Sequence, residues 1–301
     1  MYFSKGNLQY TQSTKRWSFA ENQWEIIGTD NVTGGNVESN PRHGDEKEGN
    51  SLADKVDLFG WSTSSTNFGV STSTSFLYYS ASFVDWGKNK IEDNAPNTWR
   101  TLTYNEWDYV VLNRPNASSL KGVAQVNGVN GLVLLPDNWT CPSGVTFKSG
   151  SHREYTVKAY RKYQTFTASQ WSKLESAGAV FLPAAGYRYG SDVYYVQSRG
   201  HYWSATEGHG NDVYNLNFYS VGAFLARQRI SLLRSLCPSC QGFIAHSATC
   251  SQECRRRHWA TCASALPKNQ QIFGNPERRM NTFGEINRAD AYGSRLPSPL
   301  G

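Results

Sequence analysis

"TYNEWDYVVLNR", residues 103–114, sets the fold class of this chain. Thr103 is followed three residues on by Glu106, the pattern of a capping box. In that device hydroxyl and carboxylate each take a backbone N–H that the first helical turn leaves without a partner. Trp107, Val110 and Val111 then fall at the spacing of one helical face. The stretch therefore predicts a short helix laid on a core. "TASQWSKLESAG", residues 167–178, repeats the device with Thr167 and Gln170, buries Trp171, Leu174 and Ala177, and ends on Gly178, which suits the position past a helix end.

Around these two helices the chain reads as strands. "MYFSKGNLQY" (1–10) and "RWSFAENQWEII" (16–27) alternate apolar and polar residues, as half-buried strands do. "GVNGLVLLP" (128–136) and "GAVFLPAAG" (178–186) are continuous apolar runs closed by Pro and Gly, hence buried strands. Residues 28–56 are Gly, Asn and charge with little to bury, which predicts a surface loop. Short strands, two short helices and long irregular loops make an α+β fold.

Composition narrows the function. Aromatics reach 14%, with ten Trp, while charged residues are 18%, a ring-rich globular chain rather than a disordered one. Trp61, Trp99, Trp107, Trp139 and Trp171 sit inside apolar or helix-forming motifs and read as core; Trp203 reads as the anchor of a strand. The net charge of +6 is concentrated in residues 237–301, where eight Lys/Arg face four Asp/Glu. Residues 1–236 hold 22 against 20 and show no basic stripe, which argues against nucleic acid. No run of roughly 18 apolar residues is present, so no membrane span is expected. The N-terminus lacks the apolar core of a signal peptide, so the chain reads as cytoplasmic as written, or as truncated at its start.

The most polar aromatic stretch is "HYWSATEGHGNDVYNLNFYS", residues 201–220. His201, Glu207, His209 and Asp212 have the side-chain types of a metal site, but their loop spacing gives no fixed geometry. Ser204 lacks the elbow that would make it a nucleophile. What remains is recognition, for which Tyr supplies contact area at low rotamer cost and Asn hydrogen-bonds adaptably. The expected ligand-binding set is Tyr187, Tyr189, Asp192, Tyr194, Tyr202, Glu207, His209, Asn211, Asp212, Tyr214, Asn215 and Tyr219, with no catalytic residue and no cofactor.

Eight motifs, "YFSKGNLQY", "WSFAENQWEIIG", "DLFGW", "DWGKNKI", "WRTLTYNEWDYV", "VNGVNGLVLLPDNW", "GAVFLPAAGYR" and "YWSAT…YNLNF", occur in this order over residues 2–220. Together they resemble the Fibrobacter succinogenes major paralogous domain of Bacteroidetes surface proteins, which is related to the variable proteins of diversity-generating retroelements. The resemblance implies a C-type lectin-like fold of the formylglycine-generating-enzyme type, with twisted antiparallel strands. It implies a surface or secreted location and a glycan, protein or cell-surface ligand held by the C-terminal part of the domain. The enzymes of that fold oxidise a substrate cysteine with a cysteine pair, and residues 1–236 carry only Cys141. An enzyme with an unrecognised site is the alternative.

Residues 237–301 read differently. Cys237, Cys240, Cys250 and Cys254 are spaced as a four-ligand zinc site could be, with His246 and His258 as alternates. The resembling family, however, closes with a strand like Gly-x-Ser-Val-Arg about where this chain has "RSLCPSCQ" (234–241). One permitted codon choice for that string, shifted by one base, reads Gly-Arg-Cys-Val-Arg-Pro-Val. The expectation is a single ligand-binding domain over 1–236 and a disordered or out-of-frame tail over 237–301, with zinc as the alternative.

Overall fold

The computed structural model describes residues 3–27, 55–70, 82–189, 192–209 and 212–229, with the short stretches 236–237 and 244–246. It is a mixed α+β arrangement of open, mostly antiparallel sheets with three short α-helices among the described residues. Strands β1 (Leu8–Thr11), β2 (Arg16–Phe19) and β3 (Lys55–Val56) form one sheet. β4 (Trp99–Thr101) leads into α1 (Tyr104–Asp108). The capping box is formed: the Thr103 hydroxyl accepts from Glu106 N–H, and the Glu106 carboxylate accepts from Thr103 N–H at 2.9 Å. The chain then widens into a π-helical turn over Tyr109–Asn113, which leaves Val110 and Val111 both fully buried.

β5 (Lys121–Val126) and β6 (Val129–Leu134) form a hairpin at the centre of a four-stranded sheet completed by β7 (Thr165–Phe166) and β8 (Val180–Pro183). α2 (Val157–Tyr163) and α3 (Ala168–Ser176) flank it. α3 carries the expected Thr167–Gln170 box, and Gly178 past its end takes φ +103°. β9 (Tyr187–Tyr189) and β10 (Asp192–Tyr194) make a small hairpin, and β11 (Arg199–Glu207), β12 (Asp212–Tyr219) and β13 (Gly222–Arg229) an antiparallel sheet. Two short strands follow, β14 (Leu236–Cys237) on β9 and β15 (Ile244–His246) on β4.

Several expectations are corrected. The N-terminal strands are shorter than the alternation suggests: the second ends at Phe19, and the chain then turns so that Asp57 Oδ2 can accept from Ile27 N–H. The loop expected over 28–56 has residues 28–54 outside the described ones, and Lys55–Val56 already pairs with β1. α2 is a third helix beside the two that the sequence marks. Ala177 is the C-cap of α3 rather than part of its buried face, and Trp139 is half-buried, edge-on to Phe147. Trp61, Trp99, Trp107 and Trp171 are core, as is Trp203. Among the described residues no helix is long and apolar enough to cross a membrane.

The last sheet is buried on both faces over part of its length. One face sends Tyr202, Leu216 and Phe218 into a cluster with Trp107, Val110, Val123 and Leu132. The other sends Trp203 and Val213 into a second cluster with Trp17, Phe59, Trp61 and Trp86. Between Trp203 and Glu207 the β11 register shifts, and the bulge's carbonyls find other partners. Trp107 Nε1 donates to Trp203 O at 3.1 Å, and Trp61 Nε1 donates to Ser204 O at 2.9 Å. Two indoles thus fasten the strand at the place where sheet pairing lapses.

Candidate functional site

The turn between β10 and β11 is strained and strongly supported. Tyr195 and Gln197 take φ +62° and +63°, rare for residues with side chains. Gln197 Oε1 accepts from Asn130 N–H at 2.7 Å, and Asn130 Nδ2 donates to Gln197 O at 2.8 Å. Tyr160 OH donates to Ser198 O at 2.9 Å. β6 and α2 therefore fix this turn, and Asn130 of the "VNGVNG" motif is its hub. Gly186, at φ +73°, lets the hairpin pass close: a Cβ there would meet Tyr194 O at 2.1 Å.

The turn presents Tyr195 over Arg199, whose guanidinium carbon is 3.6 Å from that ring centroid. Tyr219 lies 5.0 Å away and Tyr155 5.5 Å, so three rings surround one cation. Burial raises the hydroxyl pKa of Tyr155 and Tyr219, with Arg199 pulling each partly back. Tyr187 stacks on Tyr194 at 5.8 Å and stands edge-on to His201 at 5.1 Å. Burial, helped by the Arg199 charge, pushes His201 down to about 3, so its imidazole is neutral. Phe224 extends the aromatic surface from Tyr219 at 5.1 Å and is exposed.

The structure divides the expected set. Tyr187, Tyr194 and Tyr219 are half-buried members of this aromatic face. Glu207 and His209 are exposed at the far end of β11, where Glu207 Oε1 accepts from Phe83 N–H at 3.2 Å. Asp212 begins β12 and is half-buried. Tyr189 and Asp192 pair through their backbones across the β9–β10 hairpin. Asn211 lies outside the described residues, as do Cys240, Cys250 and Cys254. Backbone pairing sets Cys237 against Arg188.

Two members are corrected. Tyr202 is core: it is 1% exposed, stacks on Phe218 and donates to Pro183 O at 2.8 Å. Asn215 is fully buried and accepts from Asn217 Nδ2 at 2.9 Å. Tyr214 is half-buried on the opposite face of β12 from Tyr219 and packs on Tyr104 at 4.5 Å. The cause is common to both buried members. Alternation in "HYW" and "VYNLNF" marks two faces but does not say that both are covered. Ser204 is buried, and its Oγ accepts from Thr206 N–H at 2.9 Å. Sequence reasoning left Tyr155, Arg199 and Phe224 out of the site. No local signal joins Tyr155 to Arg199; only the fold brings them together.

Among the described residues no group of three or more His, Cys, Asp or Glu side chains comes together to hold a metal ion. The arrangement offers aromatic faces, one sequestered cation and neutral hydrogen-bonding groups on a rigid support. No family model, no curated protein and no solved structure matches this chain.

Proposed function

We propose that this chain is a non-catalytic, C-type lectin-like ligand-binding domain of a bacterial surface protein, related to the Fibrobacter succinogenes major paralogous domain. Its binding face is the outer side of the β9–β10 hairpin and of the β11–β12–β13 sheet at its Arg199–Tyr219 end. The observation that carries the reading is the cluster of half-buried and exposed rings held by a strained, multiply hydrogen-bonded turn. Strained backbone at non-glycine positions persists where the surroundings over-determine it, and such positions gather at ligand-contacting sites. Tyrosine rings that stay partly exposed on rigid backbone lose little entropy when a partner covers them.

Binding of the purified chain to glycan and protein arrays tests the proposal. The double variant Tyr195→Ala, Tyr219→Ala should lose the array signal while retaining a cooperative melt. Full signal in the folded double variant sinks the assignment of this face.

A further inference from the structure

Beneath the aromatic face lie polar atoms that the fold leaves unserved. His201 and Asn217 are register partners across β11 and β12, so their side chains stand together on one sheet face. They are 7% and 5% exposed. Both imidazole nitrogens and Asn217 Oδ1 have no hydrogen-bond partner among the described residues. Native folds rarely leave such atoms alone, and each instance calls for an explanation. On one flank stands Tyr187, edge-on to the imidazole; on the other is Phe224, in register with Asn217 across β13 and exposed.

The chemistry of this set selects its partner. A neutral imidazole presents one N–H and one bare nitrogen, and Asn217 Oδ1 adds a second acceptor. An anion needs donors and would face two acceptors. A cation would be repelled by the nearby Arg199 guanidinium, whose charge already acts on His201. Hydroxyls both give and take hydrogen bonds, and two neighbouring hydroxyls match one donor and two acceptors. The flanking rings give apolar faces for the C–H side of a sugar ring.

We propose that His201 and Asn217, between Tyr187 and Phe224, form a subsite for the vicinal hydroxyls of a neutral saccharide. This rests on the ligand-binding reading above and names its ligand class. Tyr187 stands edge-on against the imidazole, so occupation of the subsite requires that ring to be displaced.

Saturation-transfer NMR on the full chain tests it, with methyl α-mannoside, methyl β-galactoside, N-acetylglucosamine, maltose and cellobiose as probes. At least one should bind, with transfer strongest to its ring C–H protons. His201→Phe keeps a ring of similar size but removes both nitrogens, and Phe224→Ala removes an exposed flank. Each should weaken that sugar by about tenfold, the equivalent of one hydrogen bond or ring contact. Should His201→Phe fail to fold, Phe224→Ala decides alone. Binding of none of the five, or unchanged binding in the folded variants, overturns the subsite. If a protein-array ligand is then lost in Tyr195→Ala, Tyr219→Ala, the binding face stands and only the saccharide is wrong. If no array ligand exists either, both fall.

Discussion

Acidification should reveal His201 as a buried neutral group, and the size of the effect follows from its surroundings. The imidazole is buried, has no hydrogen-bond partner among the described residues and sits near the Arg199 charge, so its pKa falls from 6.5 to about 3. Between those values the unfolded chain binds a proton that the folded chain refuses. Stability is therefore complete above about pH 6.5 and is lost as pH falls toward 3, by about 1.4 kcal/mol per pH unit. At pH 4.5, two units below the unfolded value, the loss is about 2.7 kcal/mol. Other groups titrate in the same range. Burial holds Glu175 up to about 6, which stabilises the fold as pH falls toward 4.5. Burial also raises Glu106, but hydrogen bonds from Arg100 and Thr103 outweigh it and the net shift is downward, so acid costs stability there. Both effects are common to wild type and to His201→Phe, and they cancel in the comparison. Urea melts at pH 7.0 and 4.5 should show the variant gaining about 2.7 kcal/mol on wild type between the two. A gap constant to within about 0.5 kcal/mol, an ordinary surface-substitution effect, refutes the buried neutral histidine.

Further outcomes concern the scaffold. Trp107→Ala and Trp171→Ala should each cost roughly 3–5 kcal/mol in urea or thermal melts, since both rings are fully buried. Unchanged melting would remove them from the core. Trp61→Phe keeps much of the ring but strips the donor from Ser204 O, and should cost about 1–3 kcal/mol. Thr103→Ala and Thr167→Ala each delete a capping hydroxyl and should cost about 1 kcal/mol. A loss equal to that of the buried tryptophans would mean the hydroxyls do more than cap. Glu207→Ala with His209→Ala changes two exposed positions and should shift stability by no more than about 0.5 kcal/mol.

Local chemistry was readable from the chain, and long-range coverage was not. Both capping boxes show in the sequence because their partners lie three residues apart, and β6 and β8 show because a strand buried on both sides reads as a nearly continuous apolar run. α2 escaped notice for the opposite reason. Its Thr156 makes no side-chain cap, and only Ala159 and Tyr160 among "VKAYRKY" are buried, too few for a periodic signal. In the candidate site, the tyrosines of 187–219 were visible as a composition. Which of them face outward depends on what packs against each sheet face: Tyr202 is sealed by Phe218 and Trp107, while Tyr214 rests half-buried against Tyr104. The cage around Arg199 needs Tyr155, more than 40 residues away in the chain, and no pattern of spacing encodes that approach.

The indoles at the β11 bulge grip carbonyl oxygens, which every amino acid possesses. A fastening of this kind is indifferent to the side chains carried by the strand it holds. The two hydrogen bonds that hold this stretch come from Trp107 and Trp61, not from Tyr187, Tyr195, Tyr219 or Phe224. The geometry separates a part that must stay constant from a part free to change. A library randomised at these four positions, with position 195 restricted to residues that tolerate its left-handed backbone, should leave both fastenings in place.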